Sequence, residues 1–427
     1  MNHRTHRASS TAPTARGGAA PAPEHTTPPG WDFLFETAGL DALNRTAGEL
    51  AGGADPTQLN TLLRRTGLSP EHTAAVLTQA MLRLKARPKF GDLAMSLLFT
   101  PSGLEQATRG IVALRHAARY RAAGCTTVAD LGCGIGAESI ALLGSGIAPL
   151  AVEIDPFTAR VAEHNLGVTA AHHRLPTPSV RVGDAEYVGP GDADGVFLDP
   201  ARRTAGHSDT RRIASPDDYS PSLSYAFELA NQLPTGIKLG PGLDRELIPD
   251  TAEAQWVSDD GHVVETGLWF GALARHGITR SALVIRGTES AELSAGEDSA
   301  DAPQRALGEY LYEPDGAVIR ARLIGLLADR LRAGMLSDGI AYLTSDRLLP
   351  TPFAAAFRII DELPVREKDL RRALADRGIG TLEIKKRGAD VDPAALRTRL
   401  KLRGPHSATL VLTRVAGAHV ALLAERA

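Results

Sequence analysis

The chain has only two cysteines, Cys125 and Cys133, among its 427 residues. Two cysteines supply neither a disulfide framework nor a cluster of metal ligands, so we predict no metal site. The sequence also lacks any run of about 18 uninterrupted apolar residues, the length that a transmembrane helix needs. Residues 1–30 lack the central apolar block of a secretory signal. These absences predict a cytoplasmic protein that does not span a membrane.

The chain has no strong excess of either sign of charge. Lys and Arg number 47 against 50 Asp and Glu, which gives a formal net charge of −3. That balance excludes a globally basic nucleic-acid-binding protein, although a local basic surface is compatible with it. The hydrophobic content of 43% is sufficient for folded cores. The length exceeds that of one typical domain, so about two to three units are expected.

Residues 128–156 form the most informative segment. A short apolar run leads into residues 130–136, DLGCGIG, an alanine-rich helical segment follows, and a second apolar run leads into residues 152–156, VEIDP. Glycine is needed where the backbone approaches a ligand closely, because a Cβ atom would occupy that space. An acidic residue at the tip of the second strand can accept hydrogen bonds from both ribose hydroxyls. The pattern predicts a binding site for a nucleoside cofactor.

Asp130 discriminates between two such cofactors. Gly132, Gly134 and Ala137 loosely meet the G-x-G-x-x-G/A pattern of dinucleotide sites. A carboxylate two residues before the first glycine would repel a pyrophosphate at the helix N-terminus. It would instead suit the positively charged amino group of a methionine moiety. We therefore favour S-adenosylmethionine over NAD as the cofactor.

Residues 130–136 resemble motif I of the class I S-adenosylmethionine-dependent methyltransferases, and residues 152–155 resemble their second motif. The resemblance implies an α/β fold with a Rossmann-like seven-stranded sheet and S-adenosyl-L-methionine as the cofactor. It also implies that Glu153 binds the ribose, that Ile154 faces the adenine, and that Asp184 binds the adenine amino group. The implied cofactor-binding residues are Asp130, Gly132, Gly134, Gly136, Glu153, Ile154 and Asp184.

Later strand signals follow in the order of that family, which places the methyltransferase domain at residues 106–287. Each apolar run alone is ambiguous between a strand and a buried helix, but their common order supports the interpretation. The last two strands are expected to pair with each other and close the sheet. The segments that carry the predicted strands are residues 179–185, 195–203, 236–241, 262–273 and 278–287, of which residues 195–203 run from a buried strand into a catalytic loop.

Residues 100–108, TPSGLEQAT, precede the helix that leads to the first strand. They resemble the segment of amino-group methyltransferases that reaches back to the carboxylate of the cofactor, which would make Thr108 a cofactor-binding residue. The alternative is a plain helix N-terminus capped by Thr100. The sequence leaves both interpretations open.

Residues 199–202, DPAR, occupy the position that decides the chemistry. In methyltransferases that act on exocyclic amines, the corresponding loop is Asp/Asn-Pro-Pro followed by an aromatic residue, and its polar groups orient the attacking nitrogen. Asp199 and Pro200 fit that pattern, whereas Ala201 and Arg202 depart from it. We predict Asp199, Pro200 and Arg202 as catalytic residues, with Arg202 stacking on a base or binding a phosphate. The alternative for Arg202 is an ion pair with acids near the loop.

Residues 31–105 predict a compact helical cap on the catalytic domain, after a disordered tail over residues 1–30. Two prolines at predicted helix starts and an apolar stripe at helical spacing support these helices. Lys85, Arg87 and Lys89 follow that stripe. They belong either to a plain helical cap or to a surface that holds a substrate phosphate.

The composition changes after residue 287. Residues 288–305 are acidic and predict an exposed linker, and residues 306–427 predict a separate α/β unit of ordinary domain size. Residues 365–404 carry 12 Lys and Arg against 6 Asp and Glu. Basic residues at alternate positions of a strand lie on one face, which predicts a phosphate-binding surface; the alternative is a solvated, internally paired surface. The predicted RNA-binding residues are Lys385, Lys386, Arg387, Arg397, Arg399, Lys401 and Arg403.

The C-terminal unit resembles the THUMP-like domain of certain bacterial methyltransferases. The resemblance rests on residues 311–314 (LYEP), 377–380 (RGIG), 382–388 (LEIKKRG) and 400–404 (LKLRG). THUMP domains are associated with RNA, so the resemblance implies methylation of a structured RNA, tRNA or rRNA, at an exocyclic base nitrogen. The alternatives are a methyltransferase for a small molecule or protein, and a non-catalytic RNA-binding protein that retains the fold.

Overall fold

The computed structural model describes residues 27–202 and 219–427, without the side chain of Arg202. The predicted roles of that side chain, and nearly all of the predicted tail over residues 1–30, therefore lie outside the described residues. The described chain has N-terminal helices, a nine-stranded mixed sheet and a seven-stranded C-terminal sheet. The predicted α/β class with N-terminal helices is confirmed. No described helix is long and apolar enough to cross a membrane.

The N-terminal helices begin at capping side chains. Asp55 accepts hydrogen bonds from the backbone N–H groups of Thr57 and Gln58, at 2.8 and 3.0 Å, and Ser69 accepts one from His72 at 3.1 Å. Each cap precedes a proline at the first helical position, where a missing N–H leaves no hydrogen bond unmade. The helices before the first strand are α1 (Thr37–Ala51), α2 (Pro56–Arg65), α3 (Pro70–Phe90), α4 (Pro101–Gln106) and α5 (Gly110–Ala122).

The first sheet has nine strands rather than the seven expected. The order of its strands is β11-β10-β8-β9-β7-β4-β1-β2-β3, and β5 and β6 form a separate small ladder. These strands are β1 (Thr127–Leu131), β2 (Ala148–Glu153), β3 (Val180–Val182), β4 (Gly195–Leu198), β5 (Ala201–Arg202), β6 (Tyr219–Ser220), β7 (Thr235–Leu239), β8 (Glu253–Asp259), β9 (His262–Phe270), β10 (Arg280–Arg286) and β11 (Glu289–Ala295). The helices between them are α6 (Ala137–Gly144), α7 (Pro156–His173), α8 (Ala185–Val188) and α9 (Leu223–Ala230).

The parallel part of this sheet creates the ligand crevice. β3, β2, β1, β4 and β7 run parallel, and β9 is antiparallel between β7 and β8. β1 and β4 are almost completely buried, which is why β4 is a continuous apolar run and why Asp130 is the one charged residue of β1. The chain proceeds from β1 to β2 and β3 on one side and to β4 and β7 on the other. In open α/β sheets, ligands bind at the carboxyl ends of the strands where this reversal occurs.

The pair of strands predicted to close the sheet is incorrect. Residues 262–273 supply β9, but its hairpin partner is β8, and residues 278–287 supply β10 on the far side of β8. β8 was missed because its sequence is polar for a buried strand. Its first residue, Glu253, is fully buried and accepts hydrogen bonds from Arg119 and Arg275.

The predicted linker over residues 288–305 is also partly incorrect. Residues 289–295 form β11, which pairs antiparallel with β10 along its whole length. β11 lies at the edge of the sheet, and only Leu293 is buried. An edge strand can carry small and acidic side chains because it is less buried than a central strand, and all residues of β11 except Leu293 keep contact with solvent, so its sequence has the composition of a linker.

The C-terminal unit contains a second sheet. Its strand order is β13-β14-β12-β15-β18-β17-β16, and it is antiparallel except for the β16–β17 pair. The strands are β12 (Tyr310–Pro314), β13 (Gly334–Met335), β14 (Leu343–Ser345), β15 (Ala354–Leu363), β16 (Ile379–Lys386), β17 (His406–Val415) and β18 (Ala418–Arg426). The helices are α10 (Gly316–Arg320), α11 (Ile324–Leu331), α12 (Glu367–Asp376) and α13 (Pro393–Leu400).

The two sheets share one apolar core. Trp256 and Ala282 of the first sheet belong to the same buried cluster as Tyr312 and Leu343 of the second. α10 contacts β8, β9 and β10, and Asp315 at its N-terminus accepts hydrogen bonds from Ser258 and Arg286, at 3.1 and 3.2 Å. The C-terminal unit therefore packs directly on the first sheet.

Candidate active site

A cavity of about 300 Å³ lies at the carboxyl ends of β1, β2 and β4. It brings together most of the residues that were predicted from the sequence to bind the cofactor. Gly136 and Pro200 do not line it, although each is the chain neighbour of a lining residue. The predicted residues that line it are Thr108, Asp130, Gly132, Gly134, Glu153, Ile154, Asp184 and Asp199.

The glycine loop leaves space that any side chain would reduce. Gly132, Gly134 and Gly136 have φ angles of 91°, 56° and 86°, a region that residues with a Cβ rarely adopt. A Cβ atom on Gly132 or Gly134 would meet no protein atom within 4 Å, and both residues line the cavity. Gly136 is instead the N-cap of α6, and its role is in the turn into that helix.

The N-terminal helical unit and α7 contact the glycine loop on the side away from the cavity. The side-chain amide of Asn165 on α7 donates to the carbonyl oxygens of Leu98 and Ile135, both at 2.9 Å, and its oxygen accepts from the N–H of Leu98 at 2.8 Å. Ile135, from the middle of the glycine loop, belongs to the buried cluster of the N-terminal helices. The glycine loop is therefore fixed between α7 and the segment that follows α3.

Asp130 lies at the end of β1 with only 2% of its surface exposed. One of its carboxylate oxygens accepts hydrogen bonds from the backbone N–H and the hydroxyl of Ser139, at 3.1 and 2.6 Å. Burial raises the pKa of Asp130 to about 7, against the opposing effect of the Ser139 hydroxyl, and the nearby charges of Glu138 and Asp199 add to the increase. A cationic ligand in the cavity would favour the ionised form.

Glu153 and Asp155 have different roles, although both end the second strand motif. Glu153 lines the cavity and accepts hydrogen bonds from the N–H groups of Gly134 and Asp155, both at 2.9 Å. Asp155 does not line the cavity and caps α7 through the N–H of Thr158 at 2.7 Å. Between them, Ile154 is 53% exposed and presents an apolar surface to the cavity.

The segment before α5 contains both a helix cap and a cavity residue. Thr100 caps α4, because its hydroxyl accepts from the N–H of Gly103 at 3.0 Å. Thr108 is a separate, nearly buried residue that lines the cavity, and its hydroxyl lies 3.3 Å from the ammonium group of Lys238. Thr100 therefore has the capping role, and the cofactor contact predicted for Thr108 stays a prediction.

Lys238 is the main residue of the site that was not predicted from the sequence. It lies on β7 and forms an ion pair with Asp199 as well as the contact with Thr108. Burial alone would lower the pKa of Lys238, but the carboxylates of Asp199 and Glu265 outweigh burial and raise it. A lysine within a strand whose other residues are buried was the available signal.

A buried acid–histidine–acid arrangement adjoins this pair. The Nδ1 atom of His116 lies 3.2 Å from Glu138, and its Nε2 atom lies 2.8 Å from Glu265. Burial alone would lower the pKa of His116, but Glu265 and Glu138 outweigh that effect and raise it to about 10. His116 is therefore cationic at neutral pH, and it orients Glu138, which lines the cavity.

The charges of the cavity suit a cationic ligand. Within the described residues no Lys or Arg lines it, while five carboxylates do. S-adenosyl-L-methionine carries a sulfonium and an ammonium group against one carboxylate, so its net charge is positive and complements this surface. The five carboxylates are those of Asp130, Glu138, Glu153, Asp184 and Asp199.

Lys89 holds the wall of the cavity rather than a substrate phosphate. Its ammonium group donates to the carbonyl oxygens of Leu104, Glu105 and Ala107, at 2.7, 2.7 and 2.8 Å. These carbonyls end α4, where a cation also interacts favourably with the helix dipole. With its hydrogen bonds committed in this way, Lys89 fixes the chain that leads to Thr108.

We expect Lys89→Met to weaken S-adenosyl-L-methionine binding about tenfold, or about 1.4 kcal/mol, because the wall that contains Ala107 and Thr108 loses its anchor. Isothermal titration calorimetry measures this change. Lys85→Met is the matched control, since Lys85 is exposed on the same helix. Equal affinity in both variants would contradict the anchoring role.

The predicted one-sided basic stripe is wrong. Residues 393–400 form α13 instead of a strand, because Asp392 caps that helix and Pro393 occupies its first turn. Arg397 and Arg399 therefore point about 200° apart around the helix. Arg399 pairs with Glu367 at 2.9 Å.

Other predicted RNA-binding residues divide into paired and free groups. Lys385 pairs with Glu313 and Glu383, at 2.7 and 3.2 Å, and the guanidinium of Arg387 lies 5.4 Å from the ring centroid of Tyr342. Arg397 is exposed and donates to the carbonyl oxygen of Leu382. The exposed residues whose side chains make neither an ion pair nor a hydrogen bond to any described residue are Lys386, Lys401 and Arg403.

Comparisons with known proteins identify the parts of the chain. A family model described as THUMP domain-like matches residues 354–426, and a domain of unknown function, DUF8688, matches residues 27–86. The chain shares its fold with a protein of Porphyromonas gingivalis W83 that is assigned as a methyltransferase, with a TM-score of 0.71. That similarity covers 92% of this chain and 99% of the other, at 23% identity.

Sequence similarity identifies the family. An uncharacterized S-adenosylmethionine-dependent methyltransferase of Mycobacterium tuberculosis (strain CDC 1551 / Oshkosh) is 35% identical over 344 residues, which cover 78% of this chain and 91% of the relative. A protein of M. tuberculosis strain H37Rv with the same description matches equally. Together with the cavity at the switch of strand order, this similarity shows that the chain belongs to the S-adenosylmethionine-dependent methyltransferases and carries a C-terminal THUMP-like domain.

Proposed function

We propose that this methyltransferase modifies a base nitrogen of a structured RNA, tRNA or rRNA, and that its C-terminal unit binds that RNA. The observation that carries the RNA assignment is the match of residues 354–426 to the THUMP domain-like model. The base nitrogen is supported by Asp199, whose carboxylate lines the cavity at the end of β4 and is followed by Pro200. Pro200 and Arg202, which follow Asp199 in the same loop, are proposed to act with it in catalysis.

The proposed cofactor contacts follow from the lining residues. Asp130 would bind the amino group, Thr108 the carboxylate, Glu153 the ribose hydroxyls and Asp184 the adenine amino group, with Ile154 against the adenine ring. Bound S-adenosyl-L-methionine supplies an electrophilic methyl group on its sulfonium. Asp199 would orient the acceptor nitrogen for attack, and such alignment accounts for several kcal/mol of the barrier.

Fewer basic residues are proposed to contact RNA than the sequence indicated. Lys386, Arg397, Lys401 and Arg403 are exposed at β16, α13 and the segment that follows α13. Lys385 and Arg399 are engaged in ion pairs, so contact with phosphate would require them to exchange partners. We therefore assign the phosphate contacts first to Lys386, Lys401 and Arg403.

We expect the triple variant Lys386→Ala, Lys401→Ala, Arg403→Ala to bind RNA more weakly and with less salt dependence. Each lost phosphate contact lowers the slope of log affinity against log salt by about one, so the slope should fall by about two to three. Fluorescence anisotropy with labelled RNA at several salt concentrations measures both quantities.

The matched control for the triple variant removes three charges elsewhere. Arg45, Arg64 and Arg65 are exposed on α1 and α2, and their replacement with alanine should leave the slope unchanged. Equal slopes for both triple variants would remove the C-terminal surface from the proposal.

A further inference from the structure

The ion pair between Asp199 and Lys238 places a positive charge beside the proposed acceptor site. Asp199 keeps 37% of its side-chain surface exposed and lines the cavity, whereas Lys238 is 13% exposed and lies behind it. The ammonium group also contacts Thr108, a second lining residue, at 3.3 Å. Lys238 is therefore fixed between two walls of the cavity.

A positive charge at this place does not suit an exocyclic amine as the acceptor. When a neutral amine attacks a sulfonium methyl group, positive charge develops on the nitrogen. If Asp199 took the proton that relieves this charge, the carboxylate would be neutralised and the buried ammonium group of Lys238 would lose its counter-charge, which is costly. The same ammonium would stabilise an acceptor on which negative charge develops.

We propose that the acceptor is a ring nitrogen that carries a hydrogen next to a carbonyl group, as in guanine or uracil, and that Lys238 is the residue that selects it. This inference rests on the proposed function and names the class of base. It replaces the exocyclic nitrogen expected from the sequence.

The atoms and electrons balance without any further reagent. Asp199 takes the hydrogen of the ring N–H as a proton, and the negative charge spreads from the nitrogen onto the neighbouring oxygen, where Lys238 compensates it. The nitrogen lone pair then forms the N–CH3 bond as the S–CH3 bond breaks, and the electron pair of that bond stays on sulfur. The proton leaves Asp199 to solvent after the product departs.

The surrounding charges keep the two groups in the required states. Burial raises the pKa of Asp199, and although Lys238 opposes this increase, the carboxyl remains a stronger base than an exposed aspartate. Lys238 stays protonated because nearby carboxylates raise its pKa. Among the described residues, the charged groups that face this pair are Glu138 on α6, Glu265 on β9, Asp130 on β1 and Lys89 on α3, with His116 on α5 bound to the first two.

The decisive test identifies the methylated nucleoside. Full-length protein is incubated with methyl-labelled S-adenosyl-L-methionine and RNA from cells that lack the gene, and the RNA is digested to nucleosides for mass spectrometry. We expect the label in 1-methylguanosine or 3-methyluridine. Label in N6-methyladenosine, N4-methylcytidine or N2-methylguanosine would overturn the inference and leave the RNA function standing, whereas the absence of label from RNA would overturn both.

Variants of Lys238 provide a second test that does not depend on activity alone. Lys238→Met should lower kcat by roughly 100-fold and move the acid limb of the pH profile to higher pH, because Asp199 loses the cation that holds its pKa down. Lys238→Arg should restore part of kcat and move the acid limb of the pH profile part of the way back. Calorimetry should show S-adenosyl-L-methionine affinity within about threefold of wild type; a loss above tenfold with an unchanged pH profile would assign Lys238 to the cofactor carboxylate and overturn the inference.

Discussion

Asp199→Asn is expected to lower methyl transfer to RNA by about 10³-fold, within the range for loss of a positioned general base. The amide keeps the size of the side chain but cannot accept a proton from the acceptor nitrogen. S-adenosyl-L-methionine affinity should change by less than about threefold, because four other carboxylates line the cavity. Methyl transfer is measured as methyl label incorporated into RNA that is collected on filters, and calorimetry measures the affinity for S-adenosyl-L-methionine.

The same substitution should also reduce stability, because Lys238 loses its partner. We expect a loss of about 2 kcal/mol in the free energy of unfolding, between the values for exposed and buried ion pairs. Adding Lys238→Met should recover stability, since the unpaired charge is removed, but not activity. Thermal or urea unfolding distinguishes this outcome from a general loss of structure.

Asp192→Asn is the matched control, because Asp192 is exposed just before β4 and undergoes the same chemical change. It should retain wild-type activity. An Asp199→Asn variant that methylates RNA at the wild-type rate would remove Asp199 from the chemistry altogether.

The glycine loop and the strand-tip acids could be predicted because their signals are local. Positions 132, 134 and 136 have positive φ angles, and the loop lets the backbone approach a ligand closely. Glycine meets both requirements, so its spacing in the sequence indicates them directly. Burial likewise makes β4 an unbroken apolar run and β1 a mainly apolar one. Such features depend on neighbours within a few residues, so one sequence is sufficient to find them.

The polar network could not be predicted because its members are distant along the chain. Lys238 and Asp199 are 39 residues apart, and His116 and Glu265 are 149 apart. Nothing in a single sequence pairs such residues. β8 was missed for the same reason, since Glu253 is tolerated in a buried strand only because Arg119 and Arg275 reach it.

The basic stripe shows an error of a different kind. The hypothesis that the basic residues from Arg397 to Arg403 share one face requires a strand, but Asp392 and Pro393 carry the ordinary signals of a helix start. Those two residues favour a helix, and the helix determines on which faces the basic side chains lie. Local capping signals should therefore be weighed before charge periodicity.

Gly134→Ala is expected to weaken S-adenosyl-L-methionine binding by about 100-fold, or about 2.7 kcal/mol. The added Cβ atom would meet no protein atom within 4 Å and would stand in the cavity, where the cofactor must lie. Any shift that relieved this overlap would move the N–H of Gly134 away from Glu153, which it now contacts at 2.9 Å. Calorimetry measures the affinity, and the methyl-transfer rate should fall with it at low cofactor concentration.

Backbone strain is the competing explanation, and Gly146→Ala separates it from steric exclusion. Gly146 has a φ of 80°, against 56° for Gly134, and a Cβ atom there would also meet no neighbour within 4 Å. Gly146 lies in the turn between α6 and β2, outside the residues that line the cavity. Its alanine variant should lose about 1 kcal/mol of stability and bind the cofactor normally. If both variants lost the same affinity, strain would account for the effect, and the glycine loop would be a structural turn rather than the surface against which the cofactor lies.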